Sequence, residues 1–159
     1  RRGTGGCDRV SGFRRGVRLG IDVGRARVGV ARCDPDGMLA VPVETVPRAE
    51  TSVARIVEIA REYDPIEILV GLPISLGGSE TASTTDAREF ATELSAAVDV
   101  PIRLVDERLS TVSANAVLRQ NGRSQKSSRR IVDQIAAVVL LQQAIDVEKS
   151  TGNPAGAAL

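Results

Sequence analysis

The sequence predicts an α/β fold: a mixed five-stranded sheet, three antiparallel strands and then parallel additions, flanked by helices. Two patterns support this prediction. Three short β-branched segments follow one another near the start, and strand-like and helix-like segments alternate after them. The 159 residues suit a single domain. We place it at 17–149, between a flexible basic tail, 1–16, and a flexible C-terminal tail, 150–159.

The first three strands are predicted to form an antiparallel meander. They cover residues 17–23, 28–33 and 39–46, where β-branched and other apolar residues recur. The segment DPDG, residues 34–37, combines proline, glycine and aspartate as β-turns do. Close strand neighbours joined by such turns pair in antiparallel fashion.

The rest of the chain alternates helices and strands, with a pair of helices at the end. Ser52 is the expected N-cap of the first helix, which should stop near Asp64 and Pro65. The dipeptide Asn121-Gly122 is expected to separate the last two helices. The predicted elements are a helix from 52, a strand at 66–70, a helix at 84–98, a strand in VPIRLVDERLS (100–110), and helices at 111–120 and 127–148.

The composition excludes several kinds of catalysis. The chain contains no histidine, which removes Ser-His-Asp triads, Cys-His pairs and histidine-bound zinc. Cys7 and Cys33 show no metal or redox spacing. The 42% hydrophobic and 26% charged residues are ordinary for a globular protein, and no apolar run approaches a membrane span. We therefore expect a cytoplasmic protein without membrane contact, whose chemistry relies on carboxylates, hydroxyls and cations.

Positive charge is concentrated in two segments although the net charge is only +1. Residues 1–18 hold six arginines and a single aspartate, and RQNGRSQKSSRR, residues 119–130, holds four arginines, one lysine and no acid. This segregation suggests phosphate-facing edges on an acidic body. The candidate nucleic-acid contacts of the second segment are Arg119, Arg123, Lys126, Arg129 and Arg130; a solvated loop is the alternative.

An aspartate in the middle of the first strand is the most unusual residue of the sequence. Asp22 shares a strand face with Gly20 and Gly24, and aspartate is disfavoured in strands and costly to bury alone. The two glycines are expected to leave room for a ligand or ion beside the carboxylate. If this face met water, the aspartate would need no special explanation.

Two further acidic positions are unusual in the same way. Asp106 and Glu107 lie at the carboxyl end of the fifth strand, where such sheets present their sites. Asp133 shares a helix face with Ala137 and Leu140, and the alanines there favour close approach to the sheet. The acids could instead pair with neighbours or solvent, or cap the helix. Together they predict an oxygen-lined pocket for Mg²⁺ or Mn²⁺, which could activate a water for phosphodiester hydrolysis.

Four ordered motifs resemble the YqgF (RuvX) family, described as Holliday junction resolvases and as pre-16S ribosomal RNA nucleases. They are LGIDVGRARVGVA, ILVGLP, VDERLSTVSA and VDQIAAVVLLQQAI, and the resemblance spans about Arg18 to Asp146. It implies a ribonuclease H-like fold and makes Asp22, Glu107 and Asp133 the metal-binding catalytic acids. Asp106 and Arg108 are candidate supporting residues, because strand alternation lets only one of Asp106 and Glu107 face the site.

The resemblance also marks Gly71, Leu72 and Pro73 as a loop beside the active site. The serines and glycines that follow could lend backbone amides to a phosphate, but no lysine follows as in a Walker loop. With only Phe13, Tyr63 and Phe90 as aromatic residues, recognition by backbone and shape is expected. The expected substrate is structured RNA, as in pre-16S rRNA processing, or branched DNA.

Two other function classes stay open at this stage. The two basic segments would suffice for a nucleic-acid-binding module without catalysis. GIDVG also resembles the first phosphate loop of actin-type and sugar-kinase ATPases, although these need two such lobes and a longer chain. The sequence does not decide between a monomer and a homodimer.

Overall fold

A computed structural model describes residues 13–75, 77–107 and 125–159. For residues 125–133 it describes the course of a helix and not the side chains. Within these ranges no helix combines the length and apolar character needed to cross a bilayer. The helix predicted at 111–120 lies outside the described residues.

The described elements form a mixed sheet covered by helices on both faces. The sheet has the strand order β3-β2-β1-β4-β5-β6. Neighbouring strands are antiparallel in β3-β2-β1 and β5-β6, and parallel in β1-β4-β5. The elements are β1 Arg18–Val23, β2 Arg27–Cys33, β3 Ala40–Pro47, α1 Ser52–Tyr63, β4 Glu67–Leu72, α2 Ala82–Ala97, β5 Ile102–Asp106, α3 Gln125–Thr151 and β6 Ala157–Ala158.

The predicted α/β class and strand pairing are confirmed, but the predicted count of five strands is wrong. The sixth strand is the pair Ala157–Ala158, which hydrogen-bonds to the edge of β5. Two alanines carry no alternating pattern, so the sequence contained no signal for this strand. The N-terminal side shows a similar feature, because Phe13 is buried against the α3 side of the sheet.

Alternation along the strands sends side chains into two separate cores. On one face, residues such as Leu19, Ile21 and Val70 pack against α1 and α2. On the other face, Ala31 and Leu69 pack against Ala137, Leu141 and other residues of α3. Asp22 belongs to the second face, because its strand neighbours Ile21 and Val23 belong to the first.

Two helix starts differ from the sequence prediction. Ser52 is the first residue of α1 and not its N-cap, since its hydroxyl accepts from Ala49 N–H at 2.7 Å and donates to Pro47 O at 2.8 Å. It therefore secures the turn before the helix. The helix α2 begins at Ala82, two residues before the start of the helix predicted at 84–98. Its N-cap is Thr81, which forms a capping box with Thr84.

Close contact at one glycine determines how α3 crosses the sheet. A Cβ at Gly20 would lie only 2.9 Å from Leu141 Cβ and 3.0 Å from Ala137 O. Nearer the end of α3, Glu148 bonds Arg18 at the start of β1. Residue numbers thus rise along α3 as they fall along β1, so the helix runs antiparallel to the strand. The space above Gly20, predicted to admit a ligand, is filled by α3.

A buried ion cluster fixes the C-terminal half of α3 to the sheet. Arg18, Glu67 and Glu148 are each no more than 2% exposed. Glu148 accepts from Arg14 at both carboxylate oxygens, at 2.8 and 3.0 Å, and from Arg18 at 3.1 Å. Arg14 also donates to Glu67 at 3.0 Å, so two arginines and two glutamates share the cluster. Phe13 lies under the Arg18 guanidinium, 4.4 Å from it.

Replacing Glu148 by glutamine should destabilise the fold, because both arginines would keep their charges with one partner fewer. Breaking a buried ion pair from one side typically costs about 3–5 kcal/mol. We expect Glu148→Gln to lower the free energy of unfolding in urea by about that amount, and Glu62→Gln, an exposed change on α1, to leave it unchanged. Equal stability of the two variants would show that the cluster contributes nothing.

The same variant should change the response to acid. Burial opposes the charge of Glu148, but hydrogen bonds from Arg14 and the nearby Arg18 charge lower its pKa from 4.5. A carboxyl whose pKa is lower in the folded state stabilises the fold above its unfolded pKa, and this contribution disappears as the pH falls through the folded value. Stability should therefore fall less steeply below pH 4.5 in Glu148→Gln than in the parent.

Candidate active site

The candidate site lies on the α3 face of the sheet, at the carboxyl end of β1. Asp22 is the last residue of β1 on this face, and it is 9% exposed. Its partner on β2 is Gly29, and on the β4 side Gly71 follows Val70, the partner of Ile21. The Asp22 side chain thus rises between two glycines on neighbouring strands.

Glu107 reaches the same place from the end of β5. It directly follows the strand, and its backbone N–H bonds Leu72 O at 3.2 Å. Its carboxylate extends over Gly71, where any Cβ would overlap the Oε2 atom. Glycine at position 71 therefore provides the space through which Glu107 approaches Asp22, and Glu107 itself is 9% exposed.

The two carboxyl groups interact strongly. Burial, the charge of Asp22, and a hydrogen bond with Asp22 together raise the pKa of Glu107 from 4.5 to about 9. Two carboxylates this close cannot both be ionised at low cost without a compensating positive charge. Asp106 adds a smaller contribution of the same sign.

Asp106 itself points the other way. It continues the alternation of Ile102 and Leu104, which face α1 and α2, and it is exposed at the end of β5. Glu107 is the acid of this pair that meets Asp22. Arg108, predicted to support the site, lies outside the described residues.

The Gly71–Leu72–Pro73 segment joins the site to the start of α2. Gly71 and Leu72 end β4, and Pro73 O accepts a short hydrogen bond from the Thr84 hydroxyl. Thr84 also belongs to the capping box of α2, so the helix start and the loop are held together. Beyond it, Ser75 N–H bonds Ser79 O at 3.0 Å and closes a small turn.

The third predicted acid is described only by its place in α3. Residue 133 lies one helical turn before Ala137, which contacts Gly20, and the side chain of Asp133 lies outside the described residues. Because α3 runs antiparallel to β1, going back one turn along α3 corresponds to going forward along β1 from Gly20 to Asp22. The backbone register thus brings position 133 to the level of Asp22.

The side chains of the predicted phosphate contacts, like that of Asp133, are not among the described residues. Lys126, Arg129 and Arg130 are positions in the first two turns of α3 with side chains outside the described part. Arg119 and Arg123 lie outside the described residues altogether.

The donor set suits a hard divalent cation. Among described side chains, no group of three histidine, cysteine, aspartate or glutamate residues lies close enough to hold a metal ion. Asp22 and Glu107 supply two converging carboxylates, and oxygen donors of this kind suit Mg²⁺ or Mn²⁺. A doubly charged cation is also what would let both carboxyl groups ionise together. The two carboxylates of Asp22 and Glu107 therefore fit such an ion.

The sequence analysis missed the row of residues on either side of Asp22. Gly29 pairs with Asp22 on one side and with Thr45 on the other, so the three share one level of the sheet. Arg27, two residues before Gly29, points to the same face. The sequence contained a signal for this row in the segment RARVGVA, because strand alternation places Arg27 and Gly29 on the same face of β2.

A family model and several curated relatives match most of this chain. A family model described as "RuvX: Holliday junction resolvase" matches residues 16–147. A protein of Clavibacter michiganensis subsp. michiganensis is 52% identical over 148 residues, covering 91% of this chain and 92% of its own. One of Streptomyces coelicolor is 51% identical over 147 residues, covering 91% and 88%. Both bear the name "Putative pre-16S rRNA nuclease".

Solved structures give the same fold. RuvC of T. thermophilus, in complex with a Holliday junction substrate, matches with a TM-score of 0.56 and 17% identity, covering 90% of this chain and 99% of that one. A second Thermus thermophilus RuvC structure matches with a TM-score of 0.53. At this identity the likeness concerns the fold alone, and it agrees with the predicted ribonuclease H-like architecture.

A methyl group at position 71 should separate the two carboxyl groups with little damage to the fold. The atom that it would meet first is the end of the flexible Glu107 side chain, which can swing away. We expect Gly71→Ala to lower the free energy of unfolding by no more than about 1–2 kcal/mol. A crystal structure of the variant should show Glu107 out of hydrogen-bond reach of Asp22.

Gly77→Ala is the matched control, since a Cβ there meets no atom within 4 Å. It should leave the Asp22–Glu107 contact intact. An unmoved Glu107 in Gly71→Ala would contradict our account of why residue 71 is glycine.

Proposed function

The chain belongs to the RuvX family, and we propose that it is a nuclease that hydrolyses phosphodiester bonds in structured nucleic acid with a divalent metal ion. The observation that carries the proposal is the meeting of Asp22 and Glu107 over Gly71. Its relatives' name favours 5′-end processing of pre-16S rRNA as the role, and the family description favours resolution of four-way DNA junctions as the alternative. A cytoplasmic location, expected from the sequence, is part of the proposal.

Three acids are assigned to the metal and to catalysis in this proposal: Asp22, Glu107 and Asp133. Asp22 and Glu107 would hold Mg²⁺ or Mn²⁺ from β1 and β5, and Asp133 would complete the set from α3. The bound ion supplies activation of water and neutralises charge on the phosphate. Rigid strands on both sides of Gly71 keep Asp22 and Glu107 in place, so the oxygens need little rearrangement before the reaction.

The reaction itself is a hydrolysis. A water oxygen attacks phosphorus, the P–O bond to the departing nucleotide breaks, and the departing oxygen takes up a proton. No covalent intermediate is required, which agrees with a chain that contains no histidine to activate a serine or cysteine.

The substrate would be held mainly by its backbone. Lys126, Arg129 and Arg130 occupy the start of α3, before Asp133 in the chain, and Arg119 and Arg123 precede them. In the proposal these cations contact phosphates and guide the strand toward the acids. Whether a monomer or a homodimer acts stays a prediction from sequence; a junction resolvase would need two sites.

Purified protein tests the activity directly. We expect it to cleave labelled pre-16S rRNA precursor, a labelled four-way DNA junction, or both, in the presence of Mg²⁺ or Mn²⁺, and to stop when EDTA removes the ion. Gel analysis of products identifies the substrate and the cleavage position. Cleavage of neither substrate over a range of salt concentrations would contradict the nuclease proposal, and binding without cleavage would favour a binding module.

Charge-neutral variants test the three acids. Asp22→Asn, Glu107→Gln and Asp133→Asn should each reduce single-turnover cleavage by at least about a thousandfold, because each removes a charged ligand of the metal. Binding of substrate should survive and even tighten as negative charge is lost.

Asp99→Asn, an exposed change before β5, is the matched control and should cut at the parent rate. Any of the three variants that also cuts at the parent rate would remove that residue from the assignment.

A further inference from the structure

The two acids of the candidate site belong to parts of the sheet that separate at their level. The parallel pairing of β1 with β4 ends at Ile21, one residue before Asp22. Asp22 then pairs with β2, whereas β4 continues along β5 to Asp106, the residue before Glu107. Asp22 thus belongs to the β1–β2 hairpin, and Glu107 follows the β4–β5 pair. Strand pairing alone therefore does not fix the distance between the two carboxyl groups.

Arg48, directly after β3, holds the turn that joins β1 to β2. Its backbone N–H donates to Ala26 O at 2.9 Å, and its Nη1 donates to Gly24 O at 2.8 Å. Gly24 lies two residues after Asp22, and its own N–H donates to Arg27 O at 2.8 Å, which closes the turn. Two carbonyl groups of this turn are thus bonded to a single residue.

Asp86 of α2 holds the Arg48 side chain in turn. Its two carboxylate oxygens accept from Nη1 and Nη2 of Arg48, each at 2.8 Å. The Arg48 guanidinium also lies 5.1 Å from the ring centre of Phe90, one helical turn further along α2. The side chains of Arg48 and Asp86 are 23% and 33% exposed, so this bidentate pair is partly shielded from solvent.

A second contact joins the start of α2 to β4. The hydroxyl of Thr84, a buried residue of the capping box, donates to Pro73 O. In the preceding residue, Leu72 O accepts from the backbone N–H of Glu107 at 3.2 Å. Thr84 and Asp86 lie two residues apart on the helix. The first two turns of α2 are therefore bonded both to the hairpin that carries one acid and to the strand that supports the other.

We propose that Arg48 and Asp86 are positioning residues of the candidate site. By fixing the β1–β2 turn to α2, they set the spacing of Asp22 and Glu107 and thereby the affinity for the divalent cation. Phe90 belongs to the core that α1 and α2 share with the sheet, so the pair acts from the face opposite the carboxyl groups. The proposal rests on the proposed nuclease function and names residues that support its metal ligands without touching the ion.

Metal binding tests the proposal without cleavage. Mn²⁺ alone is titrated into the full chain and into Arg48→Met, and its affinity is measured by isothermal titration calorimetry. Arg48→Met should weaken Mn²⁺ binding about tenfold, the lower end of the effect of residues that orient metal ligands. Binding of the labelled pre-16S rRNA precursor and of the labelled four-way DNA junction in EDTA should stay unchanged. A loss of nucleic-acid affinity with unchanged Mn²⁺ affinity would make Arg48 a substrate contact and contradict the proposal.

Arg88→Met is the matched control, because Arg88 of α2 forms the same kind of bidentate pair with Glu80, at 3.2 and 2.7 Å, in an exposed position. It should keep the Mn²⁺ affinity of the parent chain. Asp86→Asn leaves the bonds of Arg48 to the turn in place and should weaken Mn²⁺ binding about threefold, since only the charge of the pair is lost. The double variant should bind no more weakly than Arg48→Met, because both changes break the same link.

Unfolding in urea is measured for each variant, so that the affinities compare folded chains. If Arg48→Met does not fold, Asp86→Asn decides the question. Mn²⁺ binding as tight in the folded Arg48 and Asp86 variants as in Arg88→Met would overturn the positioning proposal and leave the nuclease proposal standing. A parent chain that neither binds Mn²⁺ nor cleaves either labelled substrate would instead count against the nuclease proposal.

Discussion

The antiparallel crossing of α3 over β1 is the constraint on which the site depends. Two contacts fix it: Gly20 lies against Ala137 and Leu141, and Arg18 bonds Glu148. Sliding the helix by one turn would separate Glu148 from Arg14 and Arg18 and leave these charges unpaired. The buried cluster at one end of α3 therefore determines which helix residue lies level with Asp22 at the other.

Glycines on the strands leave the space into which α3 and the Glu107 side chain fit. Gly20 lets the helix backbone touch the sheet, whereas Gly71 lets a side chain from another strand lie across it. Gly29 is the β2 partner of Asp22 and adds no side chain beside it. The site is thus formed as much by missing side chains as by the acids, since larger residues at 20 or 71 would occupy the positions of α3 and Glu107.

Local patterns in the sequence predicted most of the fold and the candidate acids. Period-two alternation identified the strands and explained why Asp106 and Glu107 point to opposite faces. It did not show that Gly20 serves helix packing and not a ligand, because a sequence gives a position on a face without saying what covers that face. The contacts of Arg14 and Arg18 with Glu148 join residues more than a hundred positions apart and have no local signature. The strand β6 was missed because two alanines carry no pattern.

Two buried glutamates on the α3 face of the sheet, Glu107 and Glu148, have pKa values shifted in opposite directions. Burial opposes ionisation of both Glu107 and Glu148, yet the pKa of Glu148 is lowered whereas that of Glu107 is raised. The difference lies in their neighbours: arginines surround Glu148, and an aspartate faces Glu107. Arginines thus compensate the charge of Glu148 where α3 packs on the sheet, whereas Asp22 and Glu107 oppose each other's ionisation where β1 and β5 end. Two buried acids this close oppose folding, and under the proposed function a bound divalent cation would offset their repulsion, as the arginines do for Glu148.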